Sequence, residues 1–307
     1  MKPNSSKHQS HFHRRVAESA ERSKNDSFLA LSASLRLCVT RFSFDVRPLP
    51  GVFMAADSTP TRHMVTGTIA IKGDGWELKT QVTVPAGPTR MDELLPLVFG
   101  LSDAIVSGTE GAIKQIGETI SCKKGCGACC RNLVMISEVE ARHLVGVLES
   151  LPQDRKQVVQ GRFATVTHSL QDAGLLNELR DTEHWTSEDY TRLYARYFDL
   201  HLPCPFLDDE SCSIHTDRPT TCREYLVTSP AENCANPLET SLRRVKLPMS
   251  VFNAVARWQV EPTEHFRERT VPLVLIRELS QPEPPATATG PELLQELMGH
   301  LTGRSDA

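Results

Sequence analysis

Eight of the nine cysteines in this 307-residue sequence fall between Cys122 and Cys234. Four of them, Cys122, Cys126, Cys129 and Cys130, stand within nine residues. Deprotonated, each is a soft ligand suited to zinc or to the iron of an iron–sulfur cluster. The C-x2-C step from Cys126 to Cys129 lets two sulfurs converge on one ion across a tight turn. Gly125 and Gly127 remove the Cβ clash that such a turn would meet, and they let backbone N–H groups face sulfur. The second group, Cys204, Cys212, Cys222 and Cys234, is spaced too widely to close locally. Those residues must come to the metal through the fold, clamping distant loops together.

The pair Cys129-Cys130 raises the question of nuclearity. Adjacent side chains diverge, so both rarely reach one ion. Either one is a ligand while its neighbour packs or serves a second ion, or the centre is polynuclear; a strained vicinal disulfide is the remaining option. Four thiolates around Zn²⁺, or around an oxidised four-iron cluster, leave a doubly negative site that needs donors and cations nearby. Lys123, Lys124, Arg131, Arg218 and Arg223 all flank the cysteines, and each could equally be a solvated surface charge. The competing reading is a set of inert buried thiols, because free cysteine often packs as a small hydrophobe. Four within nine residues, with glycine on both sides of Cys126, is not how a core is written.

The elements that must position these thiols can be read from periodicity. Thr66–Lys72 and Trp76–Val84 alternate with period two around Gly73-Asp74-Gly75, which predicts a β-hairpin ended by Pro85 and Pro88. From Met91 to about Ile120 the apolar spacing predicts a long helix, with breaks at Gly108 and Gly111. Leu133–Ile136 reads as a short extended run. Ser137 and Glu140 then form a capping box that starts a helix. Arg155–Leu170 and Ser187–His201 are two more helices. The stripe Tyr190, Leu193, Tyr194, Tyr197 and Phe198 has the spacing of plain core more often than of a ligand pocket. Pro219 suits the first turn of a short helix over Thr220–Val227, and Pro248–Val260 reads as helix. Val271–Ile276 is strand or buried helical turn, and periodicity does not separate them. A Pro-rich linker from Gln281 leads to a final amphipathic helix through Leu293, Leu294, Leu297, Met298 and Leu301.

Composition limits the alternatives. Charged residues at 23% and hydrophobic ones at 39% are near the globular average, and the net charge is −4. Residues 1–53 carry nine Lys/Arg against four Asp/Glu, a balance of +5 that leaves −9 for residues 54–307. The basic, Ser-rich start reads as a disordered tail, or as sequence upstream of a start at Met54 or Met64; an organelle-targeting peptide is the other option. Cys38 lies there with no assigned role. No stretch approaches the roughly 18 apolar residues that span a bilayer, so the expectation is a cytoplasmic protein without a membrane partner. Clustered cysteines in a reducing cytosol point to metal or redox chemistry. The acidic body offers no basic, aromatic-laced face for nucleic acid.

The run Cys122-Lys-Lys-Gly-Cys126-Gly-Ala-Cys129-Cys130-Arg131 resembles the signature of the YkgJ-type cysteine-cluster proteins. Pro203-Cys204-Pro205-Phe206-Leu207, Cys212-Ser-Ile-His215 and Arg218-Pro219-Thr-Thr-Cys222-Arg223 agree with it, so the resemblance covers about residues 120–235. It implies a zinc- or iron-chelating domain with Cys122, Cys126, Cys129, Cys130, Cys204, Cys212 and Cys222 as metal ligands and Cys234 as an eighth. It implies no settled reaction. Related clusters in flagellin lysine methylases suggest an iron–sulfur centre, though nothing else here recommends methylation. At His215, where the family has Tyr or His, a loop hydrogen bond is favoured over a zinc ligand.

Together these readings give an α+β fold: a mainly helical cysteine-cluster domain preceded by a β-hairpin and a long helix. The expected boundaries are a tail over 1–63, a leader over 64–120, the metal-binding domain over 121–280, and a linker with a short helix over 281–307. The expected cofactor is an iron–sulfur cluster of the 4Fe-4S kind or zinc, with a redox or protein partner. An Fe–S oxidoreductase stands against a structural zinc module or metal carrier. A radical S-adenosylmethionine enzyme shares the C-x3-C-x2-C spacing, but no succession of strand–helix units supplies its barrel. Asp208, Asp209 and Glu210 read as a solvated loop. No Gly-rich nucleotide loop and no nucleophile–base constellation is present.

Overall fold

The computed structural model describes residues 43–44, 62–73, 76–258, 270–282 and 284–303. Most of the expected tail, Met54, Cys38, the hairpin turn at Asp74-Gly75 and the end of the helix expected to reach Val260 lie outside the described residues.

The period-two alternation becomes an antiparallel pair, β2 (Met64–Gly73) and β3 (Trp76–Pro85), in register from Met64↔Pro85 to Gly73↔Trp76. A short β1 (Ser43–Phe44), inside the segment expected to be a tail, pairs with β2 on its other side. The hairpin buries Ile69, Ile71 and Val84 against α1 (Leu95–Gln115), which follows a 3-10 turn at Met91–Leu94. This helix runs unbroken through Gly108 and Gly111, where breaks were expected. The reason is Trp76. A Cβ on Gly108 would stand 2.5 Å from the indole, which Gly73 approaches equally closely from the strand. Gly108 therefore makes room for a ring rather than a bend. In a helix interior alanine gains about 1 kcal/mol over glycine, but overpacking costs about 1–3 kcal/mol. Gly108→Ala should consequently lower stability by about 1 kcal/mol in denaturant titration; a more stable variant would show that the indole has room to move.

The capping box appears as expected. The Ser137 hydroxyl accepts from Glu140 N at 3.3 Å while the Glu140 carboxylate accepts from Ser137 N at 3.1 Å. It starts α2 (Glu138–Ser150) directly after β4 (Met135–Ser137). Next come α3 (Gln153–Asp172), α4 (Leu176–Arg180) and α5 (Ser187–Phe198). The aromatic stripe on α5 is core: Leu193 and Tyr197 are buried, with Tyr190 and Tyr194 packed against them. A small hairpin, β5 (Leu207–Asp208) and β6 (Ser211–Cys212), precedes α6 (Thr220–Glu224) and α7 (Val251–Ala256).

Val271–Ile276 proves to be both of the structures that periodicity left open. β7 (Thr270–Pro272) pairs antiparallel with β4, and the chain then turns into a 3-10 turn and α8 (Ile276–Leu279). The last helix, α9 (Gly290–Thr302), belongs to the core of the leader. Leu293, Leu294, Leu297 and Leu301 pack with Ile69, Leu95, Val98 and Ile105, and with Val251 and Trp258 from the α7 region. Two further apolar clusters lie beneath the cysteine loops, one built on α3–α5 and one on α2, α3 and β7. The architecture is α+β and mainly helical, with small antiparallel sheets. Among the described residues no helix is long and apolar enough to cross a membrane.

Candidate metal centre

The first cysteine group occupies a loop and a short 3-10 turn, Ala128–Arg131. Gly125 has φ +85, a conformation that residues with a Cβ rarely adopt. Gly127 lies under the β5–β6 hairpin, where a Cβ would stand 2.5 Å from Glu210 Oε2 and 2.9 Å from Leu207 Cδ1. Both glycines thus serve closure of this loop, one through its backbone and one through its missing side chain.

The second group is brought to the first by backbone pairing. Cys204 N donates to Cys130 O at 2.7 Å, and Ser121 N donates to Val227 O at 2.9 Å, five residues beyond Cys222. Cys234 sits in the 3-10 turn Ala231–Ala235, which packs on the turn carrying Cys129 and Cys130. All eight cysteines are free thiols, so no vicinal disulfide joins Cys129 to Cys130.

Their electrostatics show how they are grouped. Cys130 donates a hydrogen bond to Cys129, which lowers the pKa of Cys129 and raises that of Cys130. Burial pushes Cys204 up to about 12 and Cys234 up to about 11, and it raises Cys122, Cys212 and Cys222 as well. Cys234 feels the charges of Cys122, Cys129 and Cys126, whereas Cys222 feels those of Cys204, Cys129 and Cys212. Cys129 thus interacts with two wings, one of Cys122, Cys126 and Cys234, the other of Cys204, Cys212 and Cys222, and Cys130 interacts with Cys204 and Cys222 of the second. Among the described residues, no three Cys, His, Asp or Glu side chains are already gathered tightly enough to grip one ion. The thiols are neighbours, and a cation would have to draw them in.

The donor chemistry suits such a cation. Eight thiols form a purely soft set, appropriate to zinc or iron–sulfur rather than to magnesium or calcium. Burial and mutual repulsion penalise the thiolates, and a metal supplies the compensating positive charge. The protein's own compensation comes from Arg218, whose charge favours the thiolate at Cys122, Cys129, Cys212 and Cys222. The buried Nε of Arg218 has no hydrogen-bond partner among the described residues.

The other flanking cations hold the frame. Arg131 spans Gly127 O and both carboxylate oxygens of Glu210, at 2.9, 2.9 and 2.6 Å. Asp208 accepts from Arg162 at 2.7 Å and also pairs with Arg155. Asp208 and Glu210 are thus anchors of the hairpin and not merely a solvated loop. Arg223, 5% exposed, donates to Asp103 on α1 at 2.7 Å and to Arg218 O at 2.6 Å, and it stacks on Phe99 at 4.6 Å. This ties the residue after Cys222 to the leader helix. Lys123, Lys124 and His215 are exposed.

Four residues near the site have partners or placements that the sequence pattern does not show. Glu140 is fully buried, and beyond its cap its Oε1 accepts from Thr220 N and Thr220 Oγ1, both at 2.7 Å. Glu224, pushed up to about 7 by burial, accepts from Ser250 Oγ and Val251 N at 2.7 Å and so caps α7. Tyr194 and Tyr225 have buried hydroxyls without a hydrogen-bond partner among the described residues, and the charge of Cys234 bears on both. The helical spacing of Tyr194 is that of a core residue, so nothing in it sets the buried hydroxyl apart.

Residues 121–240 match the CxxCxxCC family model, described as "Putative zinc- or iron-chelating domain". The matched segment contains both thiol groups. Its first interval here, Lys123-Lys124-Gly125, holds three residues instead of the two in the family's name. No curated protein and no solved structure matches the chain.

Proposed function

We propose that this chain binds an iron–sulfur cluster through Cys122, Cys126, Cys129, Cys130, Cys204, Cys212, Cys222 and Cys234, and serves as a redox or electron-transfer protein in a reducing cytoplasm. One observation carries this reading. Eight free thiols lie on loops that the Cys204 N–Cys130 O and Ser121 N–Val227 O bonds join, twice the sulfur that a single tetrahedral ion takes. When bound, the cluster supplies one-electron chemistry. The chain's own residues shield it with apolar packing from Phe206 and Ile214, oppose its negative charge with Arg218, and hold the loops through Arg131, Arg223 and Glu140.

The division into two wings favours a second reading, in which the thiols hold zinc in two sets of four as a structural module. Metal and sulfide analysis of anaerobically purified protein separates the two. Iron with acid-labile sulfide, and a visible absorption that a reductant bleaches, is the expected result. Colourless protein with two zinc ions per chain would establish the second reading, and folded protein without a transition metal would reject both.

A further inference from the structure

Tyr194 on α5 and Tyr225 at the end of α6 are remote in sequence, yet both hydroxyl oxygens are buried and neither has a hydrogen-bond partner among the described residues. A buried polar group without a partner is costly, so a native structure needs a reason to keep one. Keeping two on one side of the thiol cluster calls for a shared reason.

The local structure places them together. Tyr225 leads into the segment Leu226–Thr228, which pairs with Ser121 on one side and with Arg243–Val245 on the other. Arg244 lies over the Tyr225 ring, 4.9 Å from its centroid, and bears on the phenolic oxygen without reaching hydrogen-bond geometry, which leaves the O–H as a free donor. Tyr194 is held by ring contacts along its own helix, with Tyr190 at 6.2 Å and a stacked Phe198 at 6.5 Å. The charge of Cys234 bears on both phenols, and that of Cys129 bears on Tyr225. Arg244 bears on both as well. The phenols and the guanidinium thus lie on the Cys234 side of the thiols, and the segment that Tyr225 leads into is bonded to Ser121, beside Cys122.

We infer that Tyr194 and Tyr225 are positioning residues that donate O–H hydrogen bonds to the metal-bound sulfurs on the Cys234 side, with Arg244 holding the Tyr225 ring. The inference rests on the metal-binding reading above. Once cysteine sulfur is ionised on a metal it becomes a strong acceptor, and a phenol is a neutral donor that adds no charge of its own. Such donors orient the ligands and spread their negative charge. In this account metal-bound sulfur is the acceptor that the two buried hydroxyls lack.

The test uses the full chain with Tyr194→Phe, Tyr225→Phe and the double substitution, each measured metal-loaded and metal-free. The loaded variants should lose metal to a competing chelator more readily, by about 10-fold or more in apparent affinity. The metal-free double variant should melt at the same temperature as the parent or higher, because an unbonded buried hydroxyl has been removed. Retention equal to the parent overturns the inference while leaving metal binding intact. A metal-free melting temperature that falls in step with retention also overturns it, since the phenols would then be ordinary packing. A parent chain that takes up no metal defeats both this inference and the reading beneath it.

Discussion

Replacing Cys126 and Cys129 together with serine removes bound metal from this protein and lowers its melting temperature to that of the chelator-treated parent. Cys129 feels or affects the charge of every other described cysteine for which a pKa shift is resolved, and Cys126 joins it in the wing with Cys122 and Cys234. Their loss therefore damages both wings. In small zinc-finger peptides metal binding supplies about 10–16 kcal/mol of apparent free energy, which is their whole stability. Here the apolar clusters around Leu170, Tyr197, Leu144 and Phe163 remain without metal, so the chain stays folded at its cores and loses a part of that figure. The check is metal per chain alongside thermal melting with and without chelator. A double variant that keeps the parent's metal stoichiometry would remove these residues from the ligand set.

Glu140→Ala costs about 3–5 kcal/mol, the range for stripping one partner from a buried charged network. The carboxylate takes four hydrogen bonds, from the backbone N–H and hydroxyl of both Ser137 and Thr220. Removing it leaves buried donors unpaired on two elements, and each such donor costs about 1–3 kcal/mol. Glu140→Gln is the sharper probe. Its oxygen can serve one pair of donors, but its NH₂ then faces the other pair, so a loss of about 1–3 kcal/mol is expected from nearly the same shape. Because Thr220 opens the helix that carries Cys222, weakened metal retention should accompany the lost stability. Denaturant midpoints and chelator competition on both variants test this; a glutamine variant as stable as the parent would mean the site tolerates a neutral acceptor.

Glu140 also shows where the sequence stops being informative. Its cap was legible because Ser137 and Glu140 are three apart, and a helix start needs that spacing. Its second pair of bonds, to Thr220, lies 80 positions away, and no local period encodes it. The same holds for Arg223 and Asp103, 120 apart. Cys122, Cys126, Cys129 and Cys130 were visible as a chemical group because their ligand chemistry requires close spacing. That the second group would meet them followed only from the need to satisfy a metal. The Gly108 error was instructive: glycine read as a helix breaker, when its missing side chain accommodates Trp76 from another element. Val271–Ile276 stayed ambiguous for a physical reason, since a buried strand and a buried helical turn are both uniformly apolar.

The position of α9 determines the sequence of events during synthesis. Ile69 and Leu95 share a cluster with Leu293 and Leu301, so the leader's core closes a loop of roughly two hundred residues, among the slowest kinds of contact to form. As the chain leaves the ribosome, every cysteine of the centre emerges before this helix does. Until then the hairpin has α1 and Val139 to pack on but lacks the leucines of α9. The helix that seals the hairpin is thus made after every thiol of the centre.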